Sequence, residues 1–336
     1  MMKLQYIKLI PGLLALGVLF LASGCEEEDL GPKKRAQEQR YFDLYMGVTY
    51  KDTIAPPTES GLFFIEVTPG TGEIPGEEDW MLVNYVGYVI PEEQVVESYL
   101  ENVAGDHNLD PNNDAIYGPF KLLNGTRSEG LSEGLSMMRE GGEAIMCYTS
   151  DLGYGSTGTT TLMKSVKGYK SMKYEVQLLE VIPDMEVYEQ ARIEAYTDTI
   201  IGVDTIHYSA MDTVMYYVVD MPVDTGTTIA VDSVVEIAYK GYLIDGRVFD
   251  ESEEGSPLEF TVGDESGVIE GWNLGVTRFR EGEKGRLIIP YHLAYGEPGR
   301  MSNNIVAIPP YENLVFDIEI VSVKSDSDSG DPDPEE

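Results

Sequence analysis

Cysteine is almost absent from this chain, with two residues in 336, Cys25 and Cys147. Cys25 falls at the end of an N-terminal leader and is spoken for there. One thiol is then left, an intramolecular disulfide is excluded, and every domain must stand on its apolar core. Histidine is as scarce: His107, His207 and His292 are scattered and do not suggest a zinc site. Basic residues are few, 23 Lys and Arg against 59 Asp and Glu, for a net charge of -36. Such a balance argues against nucleic acid as a partner, because binding phosphates requires clustered positive charge. What is present is a content of 42% apolar and 10% aromatic residues, that of a globular protein with real cores. The length allows two domains.

The first 25 residues carry Lys3 and Lys8, an apolar run from Leu13 to Leu21, and then LASGC. The run is too short and too early for a membrane span and has the layout of a secretory signal. Its end resembles a bacterial lipobox, which implies that Cys25 becomes a lipidated first residue. The chain is then expected to be extracytoplasmic and anchored by lipid to the bacterial outer membrane, on its periplasmic or cell-surface side. The acidic run Glu26-Glu27-Glu28-Asp29 resembles the signal that sends lipoproteins of the Bacteroidota to the cell surface. Residues 326–336 have no apolar side chain and read as a disordered acidic tail. Cys147, in the strand-like run AIMCY, reads as a small buried apolar residue with nothing nearby to activate it.

Within the body a pattern occurs twice. Gly61–Gly87 and Val214–Gly241 each give a strand, a Gly-containing turn and a second strand ending in Tyr-x-Gly. Farther on, SEGLSEGLSMMREGGEAIMCYTSDLGYG lies over IEGWNLGVTRFREGEKGRLIIPYHLAYG. Period-two alternation through Val235, Ile237 and Tyr239, and through Leu314, Phe316, Ile318 and Ile320, predicts half-buried antiparallel strands. Trp272, Val276 and Phe279, spaced by four and three, fall on one face of a short helix. Polar helices are expected over Lys34–Met46 and Asp184–Tyr196, the latter capped by Asp184 with Val187, Ala191, Ile193 and Tyr196 along one side; both read as plain surface helices. The parts are a signal peptide (1–25), an acidic tether and lead-in helix (26–59), a first domain (60–183), a linker helix (184–204), a second domain (205–325) and the tail.

YKGYLIDGRVFDES, VIEGWNLG, LIIPYHLAYG and IPPYENLVFDIEI, in this order between Tyr239 and Phe316 and neighbours, resemble the catalytic domain of the FKBP-type peptidyl-prolyl isomerases. The resemblance implies an α+β fold, two FKBP-like domains, each a twisted antiparallel sheet wrapped around a short helix. It implies an isomerase without a cofactor, acting on proline-containing polypeptides and assisting the folding of exported proteins. Carried across residue by residue, Trp272 forms a pocket floor, with Tyr239, Phe249, Phe260, Val268, Ile269 and Phe316 as walls. Asp250 sets a carboxylate at the rim, Tyr295 hydrogen-bonds the substrate backbone and Ile308 closes the pocket from its loop. Leu258 stands where an aromatic wall is usual, the segment after Asp250 has no basic residue, and the loop from Tyr295 to Ile308 is extended by RMSNN. These departures bear on sequence preference more than on activity.

The first copy lacks the set. It has Val96-Glu97 opposite Phe249-Asp250, Arg127-Ser128 opposite Val268-Ile269, and Leu131 opposite Trp272; Tyr85, Tyr154 and Tyr174 persist. A polar, shallow cavity that cannot grip proline is expected, in a domain that binds an envelope partner, spaces the second domain from the membrane or aids dimerisation. Its insertion, Leu100–Gly118, alternates Asp106, Asn108, Asp110, Asn112 and Asp114 as calcium loops do. Pro111 and Tyr117 stand where such a loop needs Gly and Glu, so a solvated loop without metal is the expectation. The reading from another class is a non-catalytic envelope chaperone or assembly scaffold using both folds for binding.

Overall fold

The computed structural model of the chain describes residues 30–51, 56–264 and 267–324. The leader, Cys25, the acidic run after it and the acidic tail lie outside the described residues. Helix α1, Gly31–Thr49, leads into a six-stranded antiparallel sheet. Its strands are β1 (Phe63–Thr68), β2 (Trp80–Ile90), β3 (Gln94–Ser98), β4 (Phe120–Leu123), β5 (Glu143–Tyr148) and β8 (Ser171–Ile182), with the short pair β6 (Gly158–Thr159) and β7 (Val166–Lys167) apart. Helices α2 (Glu101–His107) and α3 (Glu129–Met137) belong to this half, and α4 (Met185–Thr197) joins it to the next. The second sheet has seven strands: β9 (Asp204–Tyr208), β10 (Thr213–Met221), β11 (Val234–Leu243), β12 (Val248–Glu251), β13 (Leu258–Thr261), β14 (Lys284–Ile289) and β17 (Leu314–Lys324). Helix α5 (Glu270–Gly275) packs on it, and β15 (Arg300–Ser302) pairs with β16 (Ile305–Ile308) as a separate hairpin. The architecture is α+β and duplicated.

The duplication holds to the register. In the first sheet, ordered β1-β5-β8-β2-β3, Tyr85 faces Val176 and Gly87 faces Tyr174. In the second, ordered β12-β11-β17-β14-β10-β9, Tyr239 faces Ile318 and Gly241 faces Phe316. The shared Tyr-x-Gly has a steric cause. A Cβ on Gly87 would come 2.8 Å from the Tyr174 ring, and one on Gly241 would come 2.8 Å from both the Phe249 and Phe316 rings. In each copy aromatic rings press against bare backbone, so the sequence signature is a packing requirement.

The faces behind the sheets correct the expectation of surface helices. Helix α1 buries Phe42, Tyr45 and Met46 against Val86, Tyr88, Ile90 and Val95 of β2 and β3, so the C-terminal half of β2 is covered on both sides. It also buries Glu38, whose carboxylate accepts from Ser150 N and Oγ, both at 2.6 Å, and from Ser171 Oγ at 2.9 Å. Asp184 caps α4 as expected, accepting from Val187 N at 3.0 Å, but Val187 itself is exposed and the buried face is Met185, Glu189 and Ile193. A buried carboxylate in the middle of each face hides it from a search for apolar periodicity. Cys147 is fully buried and free, and burial pushes its thiol up to about 12, which makes it inert.

At the junction of the two halves Glu189 joins a closed ionic cluster. Lys121 Nζ of β4 lies 2.8 Å from Glu189 Oε1 and 2.6 Å from Glu312 Oε2, with all three side chains at most 4% exposed. The same ammonium donates to the carbonyls of Pro310 and Tyr311, and Arg192 reaches both carboxylates. Asn313 donates to Glu189 O and Oε2 and accepts from Tyr291 N. Each buried charge is thus paired and hydrogen-bonded, the condition on which burial is tolerable.

Candidate functional site

Trp272 enters the second core from the first turn of α5, and its indole is 3% exposed. Rings stand edge-on around it: Tyr239 at 5.2 Å and 89°, Phe316 at 5.1 Å and 90°, and Phe260 at 5.7 Å and 61°. Phe249 meets Phe316 in the same manner, at 5.5 Å and 88°. This orientation sets ring edges against ring faces and is worth about 0.5–1.5 kcal/mol per pair beyond area. The four aromatics come from β11, β12, β13 and β17, adjacent strands whose alternation points them to one side. Val268, Ile269, Tyr295 and buried Ile308 belong to the same cluster, Tyr295 half-buried with the Arg300 guanidinium 5.9 Å over its ring.

Asp250 follows Phe249 on β12 and is exposed at the rim of the cluster. Tyr239 Oη donates to its Oδ2 at 2.8 Å, which fixes the carboxylate and orients the tyrosine. Burial, with Asp250 beside it, pushes the Tyr239 phenol well above its usual range, so it remains a donor. Of eleven residues named from the sequence, ten thus fall in one region, with Trp272, Tyr239, Phe249, Phe260, Phe316, Val268, Ile269, Tyr295 and Ile308 in the cluster and Asp250 bonded to it, while Leu258 lies apart. Leu258 opens β13 opposite Ile237, is 37% exposed and stands outside the buried cluster.

The matching place in the first copy is closed. Glu97 faces Gly87 as Asp250 faces Gly241, yet it is 3% exposed and paired with Arg127 at 3.1 Å. Arg127 also donates to Tyr85 Oη at 3.3 Å. Ser128 and Tyr148 share a hydrogen bond of 2.7 Å, Tyr154 and Tyr174 one of 3.3 Å, and Leu131 is 1% exposed where the second copy has its indole. The polar, shallow cavity expected from the sequence is instead a packed polar cluster, because Arg127 is long enough to fill the space and pair with one oxygen of the acid.

Burial pushes the Glu97 carboxyl above its ordinary value of 4.5, and Arg127 only partly offsets this. The folded chain therefore holds a proton there that the unfolded chain has lost. The stability linked to Glu97 is full below about pH 4.5 and is lost as pH rises through the raised value. Urea midpoints measured from about pH 4 to 7 should fall more steeply for the wild type than for Glu97→Gln. Parallel curves would mean that Glu97 titrates alike in both states.

The insertion of the first copy is built, not merely solvated. The Asp110 carboxylate accepts from Asp114 N at 2.9 Å, Ala115 N at 2.8 Å and Tyr117 Oη at 3.1 Å. Those donors occupy both oxygens of Asp110, one of the five side chains whose alternation is that of a calcium loop.

Residues 72–179 and 226–321 match the model of the FKBP-type peptidyl-prolyl cis-trans isomerase family, more than half of the chain. The chain is 45% identical over 96 residues to the macrophage infectivity potentiator of Trypanosoma cruzi, covering 28% of this chain and 45% of that protein. It is 46% identical over 94 residues to the FKBP-type peptidyl-prolyl cis-trans isomerase FkpA of Escherichia coli K12, covering 28% of this chain and 32% of that one. The aligned segments span less than half the length of these two curated relatives. A solved structure of the three FKBP domains of wheat FKBP73 is 19% identical over 80% of this chain and 97% of that one, with a TM-score of 0.32. With two matched segments falling on the two copies of one sheet, the chain belongs to the FKBP-type peptidyl-prolyl cis-trans isomerase family.

Proposed function

We propose that the second domain is a peptidyl-prolyl cis-trans isomerase and that the first is not. The observation that carries this is the contrast at matching positions in two copies of one fold: Trp272 framed by aromatic rings with an exposed Asp250 beside them, and Leu131 beside a buried Arg127–Glu97 pair.

Rotating an X-Pro bond breaks amide resonance over a barrier of ~18–20 kcal/mol, while the end states differ by only about 0.5–1 kcal/mol. No bond has to form or break, so the task is to favour the twisted amide over the planar one. The twisted amide is the less charge-separated, and an aromatic box that strips water from it favours it. Here Trp272, Phe260, Phe249 and Phe316 receive the proline ring, Tyr295 donates to the peptide backbone, and Ile308 closes over the ring. Asp250, steadied by Tyr239, faces the carbonyl carbon as it loses conjugation. A proline peptide assayed with the chain from residue 26 onward should isomerise faster, and Asp250→Ala should lower the rate several-fold. A folded protein without any acceleration overturns the proposal.

Clients are exported proteins, the first domain also offers a surface for an envelope partner, and Cys25 carries a lipid that holds the chain at the outer membrane. The leader and its LASGC end support this location. Labelled fatty acid should enter the wild-type chain and not Cys25→Ser; equal labelling of both would remove the anchor.

A further inference from the structure

The extended loop of the second domain rests on the first. Hairpin β15–β16 turns at Asn303 and Asn304, with φ of 48° and 66°, the positive pair that a two-residue hairpin turn takes. Asn304 Nδ2, at its tip, donates to Thr160 O at 2.8 Å. Val306 N donates to Tyr99 Oη at 3.1 Å, and Ile116 N donates to Val306 O at 3.3 Å. The Val306 side chain, 6% exposed, lies in the core cluster of the first domain with Tyr99 and Phe120. In exchange Ile116, 7% exposed, lies in the core cluster of the second domain with Ile308. Each domain lends one residue to the other, and Ile308 is two residues from the one lent.

The same insertion holds the opposite rim. Arg247, two residues before Phe249, donates Nη1 to Tyr117 O at 3.1 Å. Gly118 makes room for it, since a Cβ there would come 2.6 Å from Nη1. Both the strand that carries Phe249 and Asp250 and the hairpin that ends in Ile308 are thus gripped by residues 99–118, whose loop Asp110 makes firm.

We propose that Tyr99, Ile116 and Tyr117 are positioning residues for the isomerase site, so that the non-catalytic domain is a clamp that preforms the pocket of its neighbour. This rests on the isomerase reading of the second domain. A free two-stranded hairpin is marginal in water, and a pocket whose closing residue rides on one must order it at each binding event. Docking orders it in advance, which lowers the cost of binding without touching the rotation step. The clamp therefore acts on substrate affinity and leaves turnover alone.

The test is Tyr99→Phe in the full chain, which removes one hydroxyl and keeps the ring that stacks on Phe120 at 4.7 Å and 16°. KM for a proline peptide, and its Kd read from the shift of the Trp272 indole N–H signal in nuclear magnetic resonance, should rise about three- to tenfold with kcat within about twofold. Amide exchange at Ile305 and Val306 should quicken. Asn304→Ala, a change at an exposed tip, should act in the same direction and serves if Tyr99→Phe folds poorly. Ser128→Ala removes a buried hydroxyl contact of the same domain far along the chain from the hairpin, the one to Tyr148 at 2.7 Å, and should leave KM, Kd and exchange unchanged. Quickened exchange with unchanged KM and Kd overturns the clamp, and so does an equal rise in Ser128→Ala. A wild type that binds peptide without turnover overturns the isomerase reading alone, the clamp then being judged on Kd; a wild type that does not bind overturns both.

Discussion

Trp272→Leu should lower kcat/KM for a proline peptide at least about tenfold, a loss of about 1.4 kcal/mol in transition-state stabilisation. The reason lies in the three rings packed edge-on against the indole at 5.1–5.7 Å. Leucine has no face for the proline ring and no edge for Phe316 or Tyr239, and the walls would close on the space it leaves. It is also the residue at the corresponding place in the first copy, Leu131, so the change carries the second pocket toward the inactive pattern at one position. A large-to-small change in a core costs stability as well, so urea midpoints must accompany the kinetics. Activity within about twofold of wild type, in folded protein, would show that the indole only packs.

Lys121→Met should be the most destabilising single change at the junction. It removes the one ammonium that lies between Glu189 and Glu312 and donates to the carbonyls of Pro310 and Tyr311. Two carboxylates at most 1% exposed are then left with Arg192, itself partly exposed at 21%. Breaking one partner out of a buried ionic set costs about 3–5 kcal/mol, because the remaining charges stay buried. Burial already raises the Glu189 carboxyl, with Lys121 and Arg192 opposing it; without Lys121 that opposition weakens, and the loss should ease as pH falls. At about 2–4 °C per kcal/mol for a unit of this size, the thermal midpoint should drop by roughly 10 °C. The double change Lys121→Met with Glu312→Gln should recover part of it. A midpoint within about 2 °C of wild type would show that the cluster is solvated and the domains are only loosely joined.

The aromatic site was legible because its residues obey local rules. Alternation on β11 and β17 points Tyr239 and Phe316 inward, and the Tyr-x-Gly repeat marks where a ring covers bare backbone; Trp272 and Phe279 share one core as expected, but not one helix, since α5 ends at Gly275 and Phe279 is extended after a 3-10 turn at Val276–Arg278. Three things were not legible, for related reasons. The buried faces of α1 and α4 centre on Glu38 and Glu189, polar residues that break the apolar pattern and are satisfied largely by partners on distant segments, Ser150 and Ser171 for the first, Lys121 and Asn313 for the second. The closed state of the first site depends on how far Arg127 reaches across to Glu97 and Tyr85. The docking of β15–β16 onto Tyr99 and Ile116 joins residues about two hundred positions apart, and in the sequence its two sides look like an acidic loop and a lengthened flap. Alternation and spacing report which way a side chain faces; they carry nothing on what a distant segment brings to meet it.

The most direct test of the division of labour uses the chain's only two tryptophans, Trp80 on β2 of the first domain and Trp272 on the floor of the second. Their indole N–H signals can be followed by nuclear magnetic resonance during titration with a proline peptide, while exchange between the peptide's cis and trans signals reports turnover. The account predicts catalysed exchange together with a shift of the Trp272 signal, and exchange at least about tenfold slower in Trp272→Leu with the Trp80 signal unmoved. A peptide that shifts Trp80 alone, or exchange that persists undiminished in Trp272→Leu, would contradict it.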